Sequence, residues 1–131
     1  MPTTLHHVQV LGPPGCEHQA IAFYAELLGL RPMTKPASLA DDGVWFELDD
    51  GRQLHIGIMR ESDQPGPSRA HFALRVADLN TLLATLHAAG IEHTQPPPVA
   101  GWQRVQLRDP FGNNIELVEI ETDPEHCERA E

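Results

Sequence analysis

One pattern is written twice in this chain. Leu5–Leu11 reads Leu-His-His-Val-Gln-Val-Leu, and Ala70–Val76 reads Ala-His-Phe-Ala-Leu-Arg-Val. In a strand, successive side chains point to opposite faces. His71, Ala73 and Arg75 then share one face, with Phe72, Leu74 and Val76 on the other. The first copy divides in the same way, His7, Gln9 and Leu11 against Val8 and Val10. An apolar face suited to packing on helices, backed by a face that begins with histidine, occurs at two equivalent places. Two modules of similar build are therefore expected.

The order of elements after each copy repeats as well. Leu5–Leu11 runs into Gly12-Pro13-Pro14-Gly15, after which Ile21, Ala25 and Leu28 recur at helical spacing and Gly29 offers a stop. Arg31–Lys35, Val44–Leu48 and Gln53–Met59 read as strands, the last two joined by a turn at Asp49-Asp50-Gly51. Arg60–Ser68, rich in Pro, Gly, Ser and charge, reads as a linker. In the second half Asp78 is a good N-cap for a helix carrying Leu79, Leu82, Leu83 and Leu86 and ending at Gly90. Ile91–Gln95, stopped by Pro96-Pro97-Pro98, is expected as a short strand, followed by strands at Trp102–Arg108 and Asn114–Ile120. Each module is thus strand, helix and three strands. The division expected is a single α+β domain over residues 1–121, built from modules at about 4–60 and 69–121, with an acidic tail at 122–131.

The chain of 131 residues is long enough to hide roughly two thirds of its unfolded surface, whereas either half alone would be marginal. Its formal charge of −10, with nine scattered Lys and Arg, argues against nucleic acid or an anionic membrane as partner. No apolar run approaches the ~20 residues of a membrane span, and the N-terminus lacks the basic and apolar regions of a secretory signal, so a cytoplasmic location is expected. Cys16 and Cys127 make neither a disulfide framework nor a Cys-type zinc site.

The register of the repeat can be checked on its last hairpin. Gly51 precedes His55 by four residues as Gly112 precedes Glu116, and Leu54 and Ile56 match Ile115 and Leu117. His55 and Glu116 therefore occupy equivalent places opposite the apolar stripe. If first and last strands of a module lie side by side, His7 meets His55, and His71 meets Glu116. Three imidazoles and a carboxylate are good ligands for Zn²⁺, Ni²⁺, Mn²⁺ or Fe²⁺. A lone strand histidine is commonly only a satisfied polar residue; four metal-capable residues at four pseudo-symmetric positions favour a metal site. His6, His18, His87, His93 and His126 have no such counterparts and read as structural or exposed.

This pattern resembles the vicinal oxygen chelate superfamily, which takes in glyoxalase I, methylmalonyl-CoA epimerase, fosfomycin-modifying thiol transferases, extradiol dioxygenases and metal-free bleomycin-binding proteins. The resemblance covers about residues 4–121 and rests on Leu5–Leu11, Phe23-Tyr24 with Leu27-Leu28-Gly29-Leu30, Ala70–Val76, and Asp109–Glu119. It implies paired βαβββ modules in a cupped, eight-stranded mixed sheet with helices on the outer face, and a homodimer. It also implies a divalent metal on His7, His71 and Glu116, with His55 at a fourth position where glyoxalase I and the epimerase commonly carry Glu or Gln. The activity implied is that of a metal-dependent lyase or isomerase on a small substrate with adjacent oxygens, with a thiol cosubstrate possible. Glu116 is the first candidate base and His55 the second. Gln9 and Arg75 stand along the same strand faces, where they could orient a substrate, and Trp45 and Trp102 could line a pocket mouth. An extradiol-type dioxygenase and a non-enzymatic binder of a bleomycin-like drug are the alternatives. Fosfomycin modification is disfavoured, because no basic cluster for a phosphonate is evident in the second module.

Overall fold

A computed structural model describes residues 1–63 and 68–121. The acidic tail, with His126 and Cys127, lies outside the described residues. By its contacts the chain forms two compact units, one of residues 1–63 with 109–113 and the other of 69–108 with 114–121. No helix among the described residues is long and apolar enough to cross a membrane.

In the first unit, β1 (His7–Gly12) leads to α1 (Glu17–Ala20), which continues directly as a π-helical segment, Ile21–Leu27. The strands β2 (Arg31–Met33), β3 (Val44–Glu47) and β4 (Gln53–Ile58) come next. They form a mixed sheet in the order β1-β4-β3-β2, with β1 parallel to β4 and the other pairs antiparallel. Val44, Phe46, Leu54 and Ile56 are buried on one face. Tyr24 of the π-helical segment packs there, its ring 5.5 Å from that of Phe46.

The π-helical turn is a departure from the regular helix expected. Its Leu28 N–H reaches back five residues to the Phe23 carbonyl, and the wider turn lets two consecutive aromatic residues, Phe23 and Tyr24, both be buried. Gly29, at φ +80°, ends it, and the Leu30 N–H then closes onto the Tyr24 carbonyl.

The second unit holds β5 (Phe72–Arg75), α2 (Leu79–Ala88), β6 (Trp102–Arg108) and β7 (Asn114–Ile120), with sheet order β5-β7-β6. Again the first and last strands run parallel and the hairpin antiparallel. The side chain of Asp78 caps α2 by accepting from the Thr81 N–H, and Glu119 accepts from that of Leu79. Leu79 and Leu86 turn inward, as their spacing predicts.

The strand expected at Ile91–Gln95 shrinks to a single bridge, Thr94 to Gln106, with both backbone bonds at 2.8 Å. In an antiparallel ladder the next donor from that segment would come from position 96. Proline there has no N–H to give, so the ladder cannot run on past Gln95. The fold is α+β, as expected, in two mixed sheets of four and three strands.

Candidate metal and small-molecule site

Sheet register decides which polar side chains meet. In the first unit His7 pairs with Gln53, Gln9 with His55, and Trp45 with His55 from the other side. All stand on the face opposite the Phe46 core. His55 is 5% exposed, with its ring between two others: the Trp45 indole lies 3.8 Å away and tilted by 2°, the His7 imidazole 4.3 Å away and tilted by 15°. His55 Nε2 meets Gln53 Oε1 at 2.8 Å. With the amide oxygen as acceptor, Nε2 carries the hydrogen and Nδ1 is the basic nitrogen. His7 is exposed, its Nδ1 2.9 Å from that of His6.

Gln9 lies against Gly57, where a side chain would intrude: a Cβ at 57 would stand 3.0 Å from the Gln9 amide carbon. The missing side chain thus makes the space in which Gln9 rests beside His55.

Burial, followed by repulsion from His7, His6 and Lys35, pushes His55 down from 6.5 to about 4. Above 6.5 it is neutral in both folded and unfolded chains and adds no pH dependence. As pH falls from 6.5 towards 4, the unfolded chain takes a proton that the folded chain refuses. Stability of the metal-free protein is therefore expected to fall over that window, by on the order of 3 kcal/mol. Melting temperatures measured across it should converge for wild type and His55→Phe as the pH drops. Curves that stay parallel would contradict this.

In the second unit Glu116 is 3% exposed on the face opposite α2. Arg104 Nη1 donates to Glu116 Oε1 at 2.9 Å, and His71 Nε2 stands 3.6 Å from the same oxygen. Arg104 also donates through Nη2 to the Pro97 carbonyl, while its buried Nε has no partner. The guanidinium offsets the cost of burying a carboxylate. Arg75 is exposed on the same face, and Trp102, 37% exposed, begins β6. An open cavity of about 630 Å³ lies between residues 90–94 and the end of β6, lined among others by Glu92, His93, Gln106 and Arg108. Gln106 is the direct cross-strand partner of Glu116.

The donor set fits a divalent ion in part. Glu116 and His71, oxygen and nitrogen 3.6 Å apart, are two donors of the kind that would hold such an ion. His7 and His55 cannot both be ligands as they stand. An ion in the plane of one ring lies about a stacking distance outside the plane of the other. Among the described residues no group of three or more His, Cys, Asp or Glu side chains is gathered for a metal.

Each unit thus carries one pair of the expected residues. Three partners escaped the sequence reading: Gln53 on His55, Trp45 as a stacking plate, and Arg104 on Glu116. Gln53 and Trp45 share the His55 face by the two-residue period. Arg104 shares the Glu116 face in the same way, but only the β6–β7 register shows that it reaches that carboxylate.

Residues 16–117 match the sequence model of the Glyoxalase/Bleomycin resistance protein/Dioxygenase superfamily. The chain belongs to that superfamily. A solved glyoxalase family protein from Bacillus anthracis is 35% identical, with a TM-score of 0.82 over 92% of this chain and 97% of that one. A lactoylglutathione lyase from Agrobacterium tumefaciens is 20% identical, at TM-score 0.67 over 90% and 94% of the two chains. TnmS3, an antibiotic binding protein from a Streptomyces species, is also 20% identical, at TM-score 0.69 over 91% and 97%. The last two likenesses show the shared fold. No match was found among curated protein sequences. Proteins named a lactoylglutathione lyase, an antibiotic binding protein and an oxidase share this fold, so the fold by itself does not give the function.

Proposed function

We propose that this superfamily member is a divalent-metal-dependent lyase or isomerase of glyoxalase type, acting on a small substrate with two adjacent oxygens, with a thiol adduct as the first candidate. The observation that carries the reading is Glu116: a buried carboxylate beside His71, at the position that answers to His55 in the first unit. His7, His71 and Glu116 would hold the ion, and bringing them together is part of the proposal. When bound, the ion would polarise the paired oxygens as a Lewis acid.

The chain's own residues supply the rest. Glu116 would take the proton from the carbon next to the carbonyl through a carboxylate oxygen not given to the ion, and return it to the adjacent carbon to complete the isomerisation. Arg104, bonded to Oε1, fixes the carboxylate for that transfer. Gln9, held over Gly57, orients a substrate oxygen, and Arg75 a negative group. The cavity beside Gln106 receives the body of the substrate. A cytoplasmic homodimer belongs to the same proposal.

A second reading has its own observation. The ion pair with Arg104 already gives Glu116 a cation from within the chain, which suits a metal-free binder of small molecules.

Elemental analysis separates the two. Full-length protein is purified without chelator or affinity-tag metal, beside a His7→Ala, Glu116→Ala double mutant. About one metal per chain, lost in the mutant, is expected, with turnover of methylglyoxal plus a thiol as the next assay. Wild type that stays metal-free after anaerobic incubation with Fe²⁺, Mn²⁺, Ni²⁺ and Zn²⁺ would overturn the first reading and leave the binder.

A further inference from the structure

The row of side chains centred on His55 carries hydrogen-bonding capacity that the first unit does not spend on itself. We propose that this row binds a neutral ligand with a hydroxyl next to a carbonyl: the hydroxyl donates to His55 Nδ1, and the carbonyl oxygen accepts from the Gln9 amide. The inference rests on the reading given above for the two adjacent oxygens of the substrate, and adds that one of them is an uncharged hydroxyl. It draws on no metal and on no residue of the second unit.

Register assembles the row. Trp45, His55 and Gln9 are direct cross-strand partners on β3, β4 and β1, so they stand side by side across the sheet at about 4.8 Å from strand to strand. The His55 ring lies between the Trp45 indole at 3.8 Å and the His7 imidazole at 4.3 Å, which prevents it from tilting. Its Nε2 donates to Gln53 Oε1 at 2.8 Å, which opposes rotation in the plane of the ring, and Nδ1 is left with a lone pair.

No described residue donates to that lone pair. Among the described residues the buried side-chain nitrogen or oxygen without a partner is Arg104 Nε, so His55 Nδ1 reaches the surface although the residue is only 5% exposed. An acceptor at a fixed place on a ring that cannot turn away needs little further ordering when a donor binds. Gln9 is exposed on the next strand, and its amide rests over Gly57, where a Cβ would stand 3.2 Å from Nε2. The nearby charged groups are engaged elsewhere: Arg31 pairs with Asp49 at 2.6 Å and Glu47 at 3.7 Å, and Lys35 Nζ donates to the carbonyls of Ala40 and Asp42. An ion bound at the row would lose water without meeting a counter-charge, whereas a hydroxyl exchanges one hydrogen bond for another.

The test uses full-length, chelator-treated protein and hydroxyacetone as the probe. Two analogues run beside it: methoxyacetone, in which a methyl group replaces the hydroxyl hydrogen, and glycolate, in which the carbonyl belongs to an anion. Binding is followed by the imidazole nitrogen signals of isotope-labelled protein. In the free protein His55 should carry its hydrogen on Nε2. Hydroxyacetone should move the His55 Nδ1 signal saturably and bind about tenfold or more tightly than either analogue. In His55→Phe, which keeps a flat ring in the stack and removes the acceptor, hydroxyacetone and methoxyacetone should bind alike.

Three results on the wild type, none needing a variant to fold, would overturn the inference: hydrogen on Nδ1 in the free protein, equal binding of hydroxyacetone and methoxyacetone, or no shift with any of the three compounds. Tighter binding of glycolate would overturn the choice of a neutral ligand. A preference for hydroxyacetone that persists in His55→Phe would place the acceptor on another residue. No metal is present in these titrations, so their failure is distinct from that of the metal-dependent reading, which the elemental analysis decides.

Discussion

Asp109→Ala is expected to lower stability by about 4 kcal/mol, read as the shift of the urea unfolding midpoint at unchanged slope. The carboxylate is 5% exposed and accepts four hydrogen bonds. They come from the Tyr24 hydroxyl at 2.6 Å, the Phe111 N–H at 2.8 Å, the Asn113 N–H at 2.9 Å and Asn113 Nδ2 at 2.8 Å. Alanine leaves the Tyr24 hydroxyl and the Phe111 and Asn113 N–H groups without this acceptor, while Asn113 Nδ2 keeps the Leu11 carbonyl, and stranding a buried donor costs more than a made bond contributes. Tyr24→Phe removes one donor and leaves the acceptor otherwise satisfied, so about 1–2 kcal/mol is expected. Burial, with the neighbouring Asp109 charge, holds the Tyr24 hydroxyl well above its ordinary range, so it remains a donor throughout the pH range of the measurement. Equal losses in the two variants would show that the Tyr24 bond carries the whole effect and that the turn contributes nothing.

Arg104→Met should cost about 3 kcal/mol by the same measurement, because it leaves Glu116 buried without its cation and releases the Pro97 carbonyl. Methionine preserves most of the apolar stem, so the loss reports charge more than packing. Combining it with Glu116→Gln removes the stranded charge, and the double variant is expected to be more stable than Arg104→Met alone. A strictly additive double mutant would mean that guanidinium and carboxylate act independently.

The sequence showed most of the fold because its strands alternate cleanly. Trp102–Arg108 and Asn114–Ile120 have the bounds expected, since Val105, Leu107, Ile115 and Leu117 all lie on one face between clear turn signals. Other features leave no such trace. The π-helical turn differs from an α-helix by one hydrogen-bond step, which apolar spacing does not register. The strand expected at Ile91–Gln95 keeps only the bridge at Thr94, and alternation over so short a run does not show which of its residues find a partner on β6. Within the candidate site, the period of two showed that His7 and Gln9 share a face, as do His55 and Gly57. That His55 lies between Trp45 and His7 requires both neighbouring strands in register, and one strand's pattern cannot supply that.

The turn from Asp109 to Asn113 bears on whether the two halves can be taken apart. Its flanking strands belong to the second unit, yet the turn itself is counted with the first, and Asn113 Nδ2 donates to the Leu11 carbonyl. A gene cut at the linker would yield an N-terminal product whose Tyr24 hydroxyl had lost its acceptor. The repeat in the sequence is therefore not a seam in the molecule. Halves expressed separately should recover their structure only when mixed, and shuffling one of them against a foreign partner would have to bring a matching Asp-Pro-Phe-Gly-Asn with it.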